Sequence, residues 1–236
     1  MLTIESKADE VSLMNAAWEL LRTDIVSGTL PPNTRLRISN LRNIYGIGST
    51  PLREALSRLV SDGFVVSLER RGFMVAPISL TDLRELTDLR KLLEKEALRQ
   101  SLTLGDERWE ASVIAAFYRL EKLEKQIRAG EESRSAEWEP LNQEFHETLV
   151  AACPSQRLKN TRRSVYLSMI RYRRVCLSLG SLSRNVHEEH VQLKDAAIAR
   201  DSAKAETLID AHLEQTFERI AQSGRLSDSA RSSSKI

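Results

Sequence analysis

The chain has 236 residues, of which 41% are hydrophobic and 29% are charged, and its net charge is +2. These proportions are ordinary for a globular protein, so wholesale disorder and collagen-like repeats are excluded. No apolar run approaches the roughly 18 residues of a membrane helix, the first residues lack the apolar core of a signal peptide, and the two cysteines match no zinc spacing. We therefore expect a cytoplasmic protein, in which any surface for nucleic acid must be a local basic patch.

Glycine and proline divide the chain into two parts. They are dense over residues 28–77 and sparse beyond Pro77, where long periodic stretches follow. This contrast predicts a small domain at 10–77 and an all-helical domain at 80–224. The remaining residues, 225–236, are rich in Ser, Arg and Lys, and we expect them to form a disordered tail.

The first domain shows the order helix, short helix, turn, helix and hairpin. Apolar residues recur at helical spacing over 13–25, Gly28 ends that helix, and a short helix is predicted over 38–45. A third helix is predicted over 49–61 with Ser49 as its N-cap. Two β-rich runs, FVVSL and FMVAP, then flank a charged tip and predict a hairpin. This order is that of a winged helix-turn-helix.

Arginine is concentrated in this domain. Between residues 29 and 77 there are seven arginines and three acidic residues, so the local charge is +4. Short hydroxyl and arginine side chains at a helix N-terminus suit phosphate and base-edge contact. On charge alone, a solvated surface or a protein-binding module is an equal alternative. The candidate DNA contacts are Arg35, Arg42, Ser49, Thr50, Arg53, Arg58 and Arg71.

The segment 24–77 resembles the DNA-binding domain of the GntR family of bacterial transcription regulators. The family's opening motif matches residues 25–36, its recognition helix matches TPLREALSRL, and its wing matches Gly72-Phe73-Met74-Val75. Asn33 stands where the family usually has Gly, and asparagine tolerates the left-handed conformation of such a turn. The resemblance implies a regulator that binds double-stranded operator DNA, with Gly72 in the DNA-contacting wing.

Six helical segments with apolar stripes are predicted beyond residue 79, and they contain all four histidines. The segments are 80–103, 106–129, 135–152, 155–179, 182–200 and 201–223. His146 lies on the third, His187 and His190 share the fifth, and His212 lies on the last. Imidazoles that converge from several helices can form a metal site, but no spacing here is a metal motif, and separate surface or core histidines are the alternative.

Three segments of the second domain, NQEFHETL, EEHVQLKDAAIARDSAKAETLIDAHL and DLRKLLEKEAL, resemble the FCD effector domain of the FadR subfamily. The resemblance implies a divalent metal such as Zn or Ni, held by one Asp and three His. His146, His190 and His212 occupy the histidine positions, whereas Asn142 stands in the usual Asp position and is a weaker, neutral ligand. His187 has no place in the pattern, and we expect it at the surface.

Arginines beside such a site would recognise an organic acid, because a guanidinium fork holds a carboxylate in two-pronged geometry. Arg90 and Arg171 are the candidate effector contacts. The alternatives are an intrahelical pair of Arg90 with Glu94 and a solvated face for the RYRR cluster. Two stretches, GDERWEASVIAAFYRLEKLE and RYRRVCL, resemble regulators of carbon-starvation and dicarboxylate genes, which implies a small dicarboxylate such as glutarate.

The fold class predicted is mostly α: an N-terminal winged helix-turn-helix and a C-terminal FCD-like bundle of about six helices. The predicted function is that of a repressor that binds a near-palindromic operator as a homodimer, because symmetric dimers double the few base pairs one module reads. A small organic acid would release it. A metal-dependent enzyme and a scaffold without effector are the alternatives, and the chain has none of the common catalytic motifs.

Overall fold

The computed structural model describes residues 4–69, 71–131, 134, 137–176 and 186–226. Within these residues the chain forms two compact units. The first contains residues 4–80, 170–175 and 225–226, and the second contains the described residues of 81–169 and 176–224. Of the predicted disordered tail, 225–236, residues 227–236 lie outside the described residues.

The first unit contains three helices that pack around a leucine core. α1 spans Ile4–Ser27, α2 spans Ile38–Tyr45 and α3 spans Ser49–Ser61. Gly46 ends α2 in the left-handed conformation, with its N–H bonded to the carbonyl oxygen of Arg42. The apolar stripe of α3 is fully buried, because its leucines repeat at three- and four-residue spacing on the face toward α1.

A small antiparallel sheet completes this unit. Its strands are β1 (Arg35–Leu36), β2 (Val65–Leu68) and β3 (Gly72–Val75), in the order β1-β3-β2. The β2–β3 hairpin confirms the predicted wing, whereas β1 lies between the first two helices, where no strand was predicted. Asn33 precedes β1 with a φ of 67°, the left-handed conformation expected of it, and donates its backbone N–H to the carbonyl oxygen of Val75.

Six further helices lie in the described residues, as predicted, and they build the second unit except for Leu80 and residues 170–175, which belong to the first. They are α4 (Leu80–Leu104), α5 (Glu107–Arg128), α6 (Trp138–Leu149), α7 (Gln156–Cys176), α8 (Val186–Ile198) and α9 (Ser202–Gln222). Asp106 and Asp201 cap α5 and α9, because each side chain accepts a hydrogen bond from a backbone N–H in the first turn. The core is apolar and includes Leu98, Leu120 and Phe145.

None of the helices in the described part of the chain combines the length and apolar character that crossing a bilayer requires. The structure thus confirms a mostly α protein with a winged helix-turn-helix and a bundle of six helices.

Candidate functional site

Arginines from the recognition helix, β1 and the wing meet around one cleft of the first unit. The cleft has a volume of about 330 Å³ and is lined by Arg35, Leu36, Arg37, Ile38, Arg53, Arg71, Gly72 and Phe73. Four of the predicted contacts therefore lie together: Arg35, Arg53, Arg71 and Gly72. Arg37, which no motif singled out, joins them. Such a concentration of exposed guanidinium groups attracts phosphate.

The N-terminus of α3 is open to an anion. Gly48, not Ser49, is the N-cap, so the predicted capping role of Ser49 is wrong: it is the first helical residue. Within the described chain no side chain caps this end, which leaves first-turn N–H groups available for a phosphate oxygen. Thr50 is exposed on the same turn, and Arg42 is exposed on α2 without lining the cleft.

Arg58 does not join this surface. Its guanidinium lies 3.8 Å from the ring centroid of Trp18 on α1, and its Nη1 donates a hydrogen bond of 3.1 Å to Asn15. Trp18 is held in turn by a bond from its Nε1 to Asp62. Stacking and hydrogen bonding thus hold Arg58 against α1, and we remove it from the candidate DNA contacts.

Three of the predicted metal ligands converge inside the second unit. His146 from α6, His190 from α8 and His212 from α9 are buried, and each offers a ring nitrogen within 4.8 Å of those of the other two. Their ring centroids are 5.1–5.5 Å apart. Separate surface or core histidines, the alternative left open by the spacing, are excluded for these three residues.

Asn142 lies one turn before His146 on α6 and is 1% exposed. Its Nδ2 donates to the hydroxyl of Tyr166, whereas its Oδ1 makes no hydrogen bond within the described residues. The Nε2 atom of His146 and both ring nitrogens of His190 also lack hydrogen-bond partners there. Buried polar atoms without partners are costly, so each points to a partner such as a water molecule or an ion. Imidazole nitrogens and an amide oxygen are suitable donors for a divalent metal, so these residues fit one.

His146 is in the state that a metal requires. Burial is the main cause that lowers the pKa of His146 well below its usual range, and electrostatic interactions with neighbouring groups add to it. Those neighbours are His212, His190, Arg90 and Arg162. The neutral imidazole is the form that binds metal, so His146 is ready to do so at neutral pH.

Two glutamates contact histidines of this cluster. Glu189 lies 2.7 Å from Nδ1 of His212. Glu124, 2% exposed, has Oε1 3.5 Å from Nδ1 of His190, an ion-pair distance without hydrogen-bond geometry. Burial alone would raise the pKa of Glu124, but its contacts with His190, Trp138 and His187 outweigh burial and lower that pKa.

His187 is not the surface residue that was expected. Its Nδ1 lies 2.9 Å from Oε2 of Glu124, and its ring stacks on Phe117 with centroids 6.1 Å apart. The side chain is 18% exposed. His187 therefore contacts Glu124, which in turn lies beside His190.

The two candidate effector arginines have different surroundings. Arg90 is fully buried, its Nε donates to Glu94 as the intrahelical alternative predicted, and its guanidinium lies 4.7 Å from the ring centroid of Tyr166, the partner of Asn142. Arg171 belongs to the first unit, where its Nη2 donates 2.7 Å to the carbonyl oxygen of Ala76. We therefore keep Arg90 and withdraw Arg171.

Arg162 on α7 was missed. It is fully buried and forms ion pairs with Glu94 at 3.0 Å and with Glu147. The signal was present in the sequence, because Arg162 lies on the apolar stripe of α7, where a charged residue has to be buried. Arg90, Glu94 and Glu124 likewise lie on the buried stripes of α4 and α5.

A winged helix-turn-helix with an arginine-lined cleft, and a helical unit with a buried cluster of potential ligands, define a transcription regulator with a ligand-binding domain. The chain belongs to the GntR family: residues 13–75 match the bacterial regulatory proteins of the gntR family, and residues 85–215 match the FCD domain. The FCD match covers more than half of the chain, which assigns the second unit to the effector-binding class of this family.

Full-length relatives support the assignment. The chain is 40% identical over 215 residues to the HTH-type transcriptional regulator BphR of Paraburkholderia xenovorans, covering 91% of this chain and 88% of that protein. It is 35% identical over 206 residues to the HTH-type transcriptional repressor GlaR of Escherichia coli K12, covering 86% and 92%. These relatives are regulators rather than enzymes.

Solved structures share the fold. A GntR regulator from Rhodococcus sp. RHA1 has a TM-score of 0.72 at 21% identity, covering 89% of this chain and 98% of that one. McbR/YncC of E. coli has a TM-score of 0.73, also at 21% identity, covering 89% and 97%.

Proposed function

We propose that the protein is a repressor that binds a near-palindromic operator as a homodimer and releases it when a small carboxylate, such as a dicarboxylate, binds in the FCD domain beside a divalent metal. The observation that carries the ligand response is the buried convergence of His146, His190 and His212, in which Nε2 of His146 and the ring nitrogens of His190 have no hydrogen-bond partner among the described residues. The repressor name of GlaR supports the direction of regulation. The protein would act in the cytoplasm, where bacterial operators lie.

At the operator, α3 would enter the major groove with Arg53 at base edges, as recognition helices do. The free N-terminal turn of α3, with Ser49 and Thr50, would receive a phosphate. Arg35 and Arg37 line the same cleft and would contact the backbone, whereas Arg71 and Gly72 in the wing would follow the neighbouring groove. One module reads few base pairs, so a homodimer on two half-sites supplies the specificity that a single operator needs.

In the FCD domain, His146, His190 and His212 would hold an ion such as Zn or Ni together with the amide oxygen of Asn142. The bound ion supplies a positively charged, Lewis-acidic centre that attracts an anionic oxygen. Because Asn142 is neutral, none of these four ligands is an anion, and an incoming carboxylate would be the first anionic group to bind the ion directly.

The far end of the effector would meet an arginine. Arg90 and Arg162 both contact Glu94, so two buried guanidinium groups share that carboxylate. A dicarboxylate would bind with one end at the metal and with the other at this pair. The effector shifts operator affinity only as far as it prefers one of the two states, and a coupling of about 1–3 kcal/mol changes occupancy 5–150-fold.

The test of ligand binding is thermal unfolding of the chelator-treated full chain with Zn²⁺, Ni²⁺ and a series of mono- and dicarboxylates. We expect metal to raise the melting temperature and glutarate-sized dicarboxylates to raise it further only when metal is present. The matched control is His146→Ala, which should lose both shifts. If His146→Ala responds like wild type, the histidine cluster is not the metal site.

A further inference from the structure

The predicted metal site carries no negative charge of its own. Its three imidazoles and the Asn142 amide are neutral ligands, and the positive charges of Arg90 and Arg162 act on His146. Glu94 is paired with those two arginines. A divalent cation placed in this buried region needs negative charge nearby, because an uncompensated buried charge is expensive.

Carboxylates lie beside two of the three histidine ligands, His190 and His212. Glu189, on α8, lies 2.7 Å from Nδ1 of His212 on α9. Glu124, on α5, has one oxygen 3.5 Å from Nδ1 of His190 on α8. The hydrogen bond with Glu189 keeps the proton on Nδ1 of His212, leaves the opposite nitrogen to bind metal and makes it a stronger donor, whereas Glu124 acts on His190 through its charge at ion-pair distance.

The buried Glu124 is itself held in place. Trp138 donates from Nε1 to its Oε1 at 3.0 Å, and Nδ1 of His187 lies 2.9 Å from its Oε2. These contacts keep the carboxylate aligned behind His190. They also give His187, which no motif explained, a place in the site.

We propose that Glu124 and Glu189 are positioning residues that supply, through the imidazoles of His190 and His212, the negative charge that Asn142 does not bring to the metal. This inference rests on the proposed metal site. An Asp ligand would place its charge directly on the ion. Here the charge lies on two carboxylates from different helices, which contact the histidine ligands and not the ion.

The test is the metal affinity of the stripped full chain, measured for Ni²⁺ and Zn²⁺ by competition with a chromogenic chelator. Glu124→Gln and Glu189→Gln keep a side chain that can accept a hydrogen bond but remove its charge, and we expect each to weaken metal binding 10–100-fold. The matched control is Glu110→Gln on α5, the helix that carries Glu124. The Glu110 carboxylate lies 3.8 Å from the guanidinium of Arg200, so this variant should leave the metal affinity unchanged.

A rescue separates charge from packing. Asn142→Asp in the Glu189→Gln background should recover most of the lost affinity, because the carboxylate then acts on the ion directly; a loss caused by misfolding would not be recovered. Thermal unfolding of the metal-free variants checks the fold, and if the buried Glu124→Gln does not fold, the more exposed Glu189→Gln carries the test.

Two results overturn the inference and are distinguishable. If wild type binds metal, His146→Ala does not, and both Gln variants bind like wild type, or Asn142→Asp fails to rescue, the glutamates do not compensate the ion although the metal site stands. If wild type and His146→Ala bind metal equally, the proposed metal site itself is wrong and the inference falls with it.

Discussion

Of the arginines that line the cleft, Arg53 is the one on the recognition helix, α3. It is exposed, just after the N-terminal end that no side chain caps. Arg58, one turn further along, is stacked on Trp18 instead. The sequence places both on the recognition helix as candidate DNA contacts, but only the folded chain shows that Trp18 on α1 engages Arg58. The two residues therefore make a matched pair for testing the DNA surface.

Arg53→Ala should weaken operator binding by about 1–3 kcal/mol and relax the preference at one position of each half-site, because a base-edge contact is lost. Arg71→Ala should weaken binding to all sequences alike through loss of a backbone contact. Affinities for an operator and its single-base variants measure both effects. Arg58→Ala is the control and should keep the sequence preference; a change of preference in Arg58→Ala but not in Arg53→Ala would reverse the assignment.

His190→Ala should abolish the effect of a dicarboxylate on operator affinity while leaving operator binding without effector intact. The reason is that His190 lies in the metal cluster of the second unit and takes no part in the arginine cleft. Operator binding measured with and without glutarate, at saturating Zn²⁺, checks this. Operator release by glutarate at the wild-type concentration would show that His190 is not part of the ligand response.

At the scale of elements, the helices could be predicted because their apolar residues recur locally at three- and four-residue spacing. β1 could not be predicted, because its two residues form a strand only by pairing with Phe73 and Met74, almost forty residues away in the sequence. The three histidines and Arg90 were predicted from motifs. The apolar stripes predict that Arg162 and Glu124 are buried, but their roles and that of Glu189 could not be predicted, because each depends on a partner on another helix.

Arg171 was wrongly predicted to contact the effector, because its role too depends on contacts outside its own helix. It lies on the same helix as Arg162, and its neighbours in the sequence are also basic, so no local pattern tells which guanidinium reaches the ligand site. The structure separates them: Arg162 pairs with Glu94, and Arg171 bonds the carbonyl of Ala76.

A cluster of ion pairs joins α4 to α9. Hydrogen bonds from Arg84 and then Lys91 lower the pKa of Glu214 to about 2 from 4.5. A carboxyl whose pKa is lower in the folded state stabilises the fold above its unfolded pKa, and the contribution is lost as pH falls toward the folded value. Because the pair is partly exposed, solvent screening keeps the contribution small.

Glu214→Gln should therefore lower the free energy of unfolding at neutral pH, and its difference from wild type should shrink as the pH falls from about 4.5 toward 2. Urea unfolding at a series of pH values measures the difference. Asp88→Asn is the control, since its carboxylate contacts Arg84 from an exposed position on the same helix. A difference that stays constant over this pH range would contradict the role of Glu214.

At the scale of the whole molecule, the proposal requires two copies of the chain on one operator. We expect sedimentation velocity to show a dimer of the free protein and two chains per operator. Shifting the spacing between half-sites by half a helical turn should abolish tight binding, because the two recognition helices must reach the same face of the duplex. A monomer both free and on DNA would contradict the homodimer.

In the proposed function, metal and carboxylate together control operator binding. The deciding experiment measures the operator affinity of the full chain as a function of glutarate concentration, for the Zn²⁺-loaded and the chelator-treated protein in parallel. Glutarate should lower the affinity of the loaded protein 5–150-fold and leave that of the chelator-treated protein unchanged. An equal response of the two forms at the same glutarate concentration would contradict it, and Arg90 and Arg162 would then have to bind the effector without a metal.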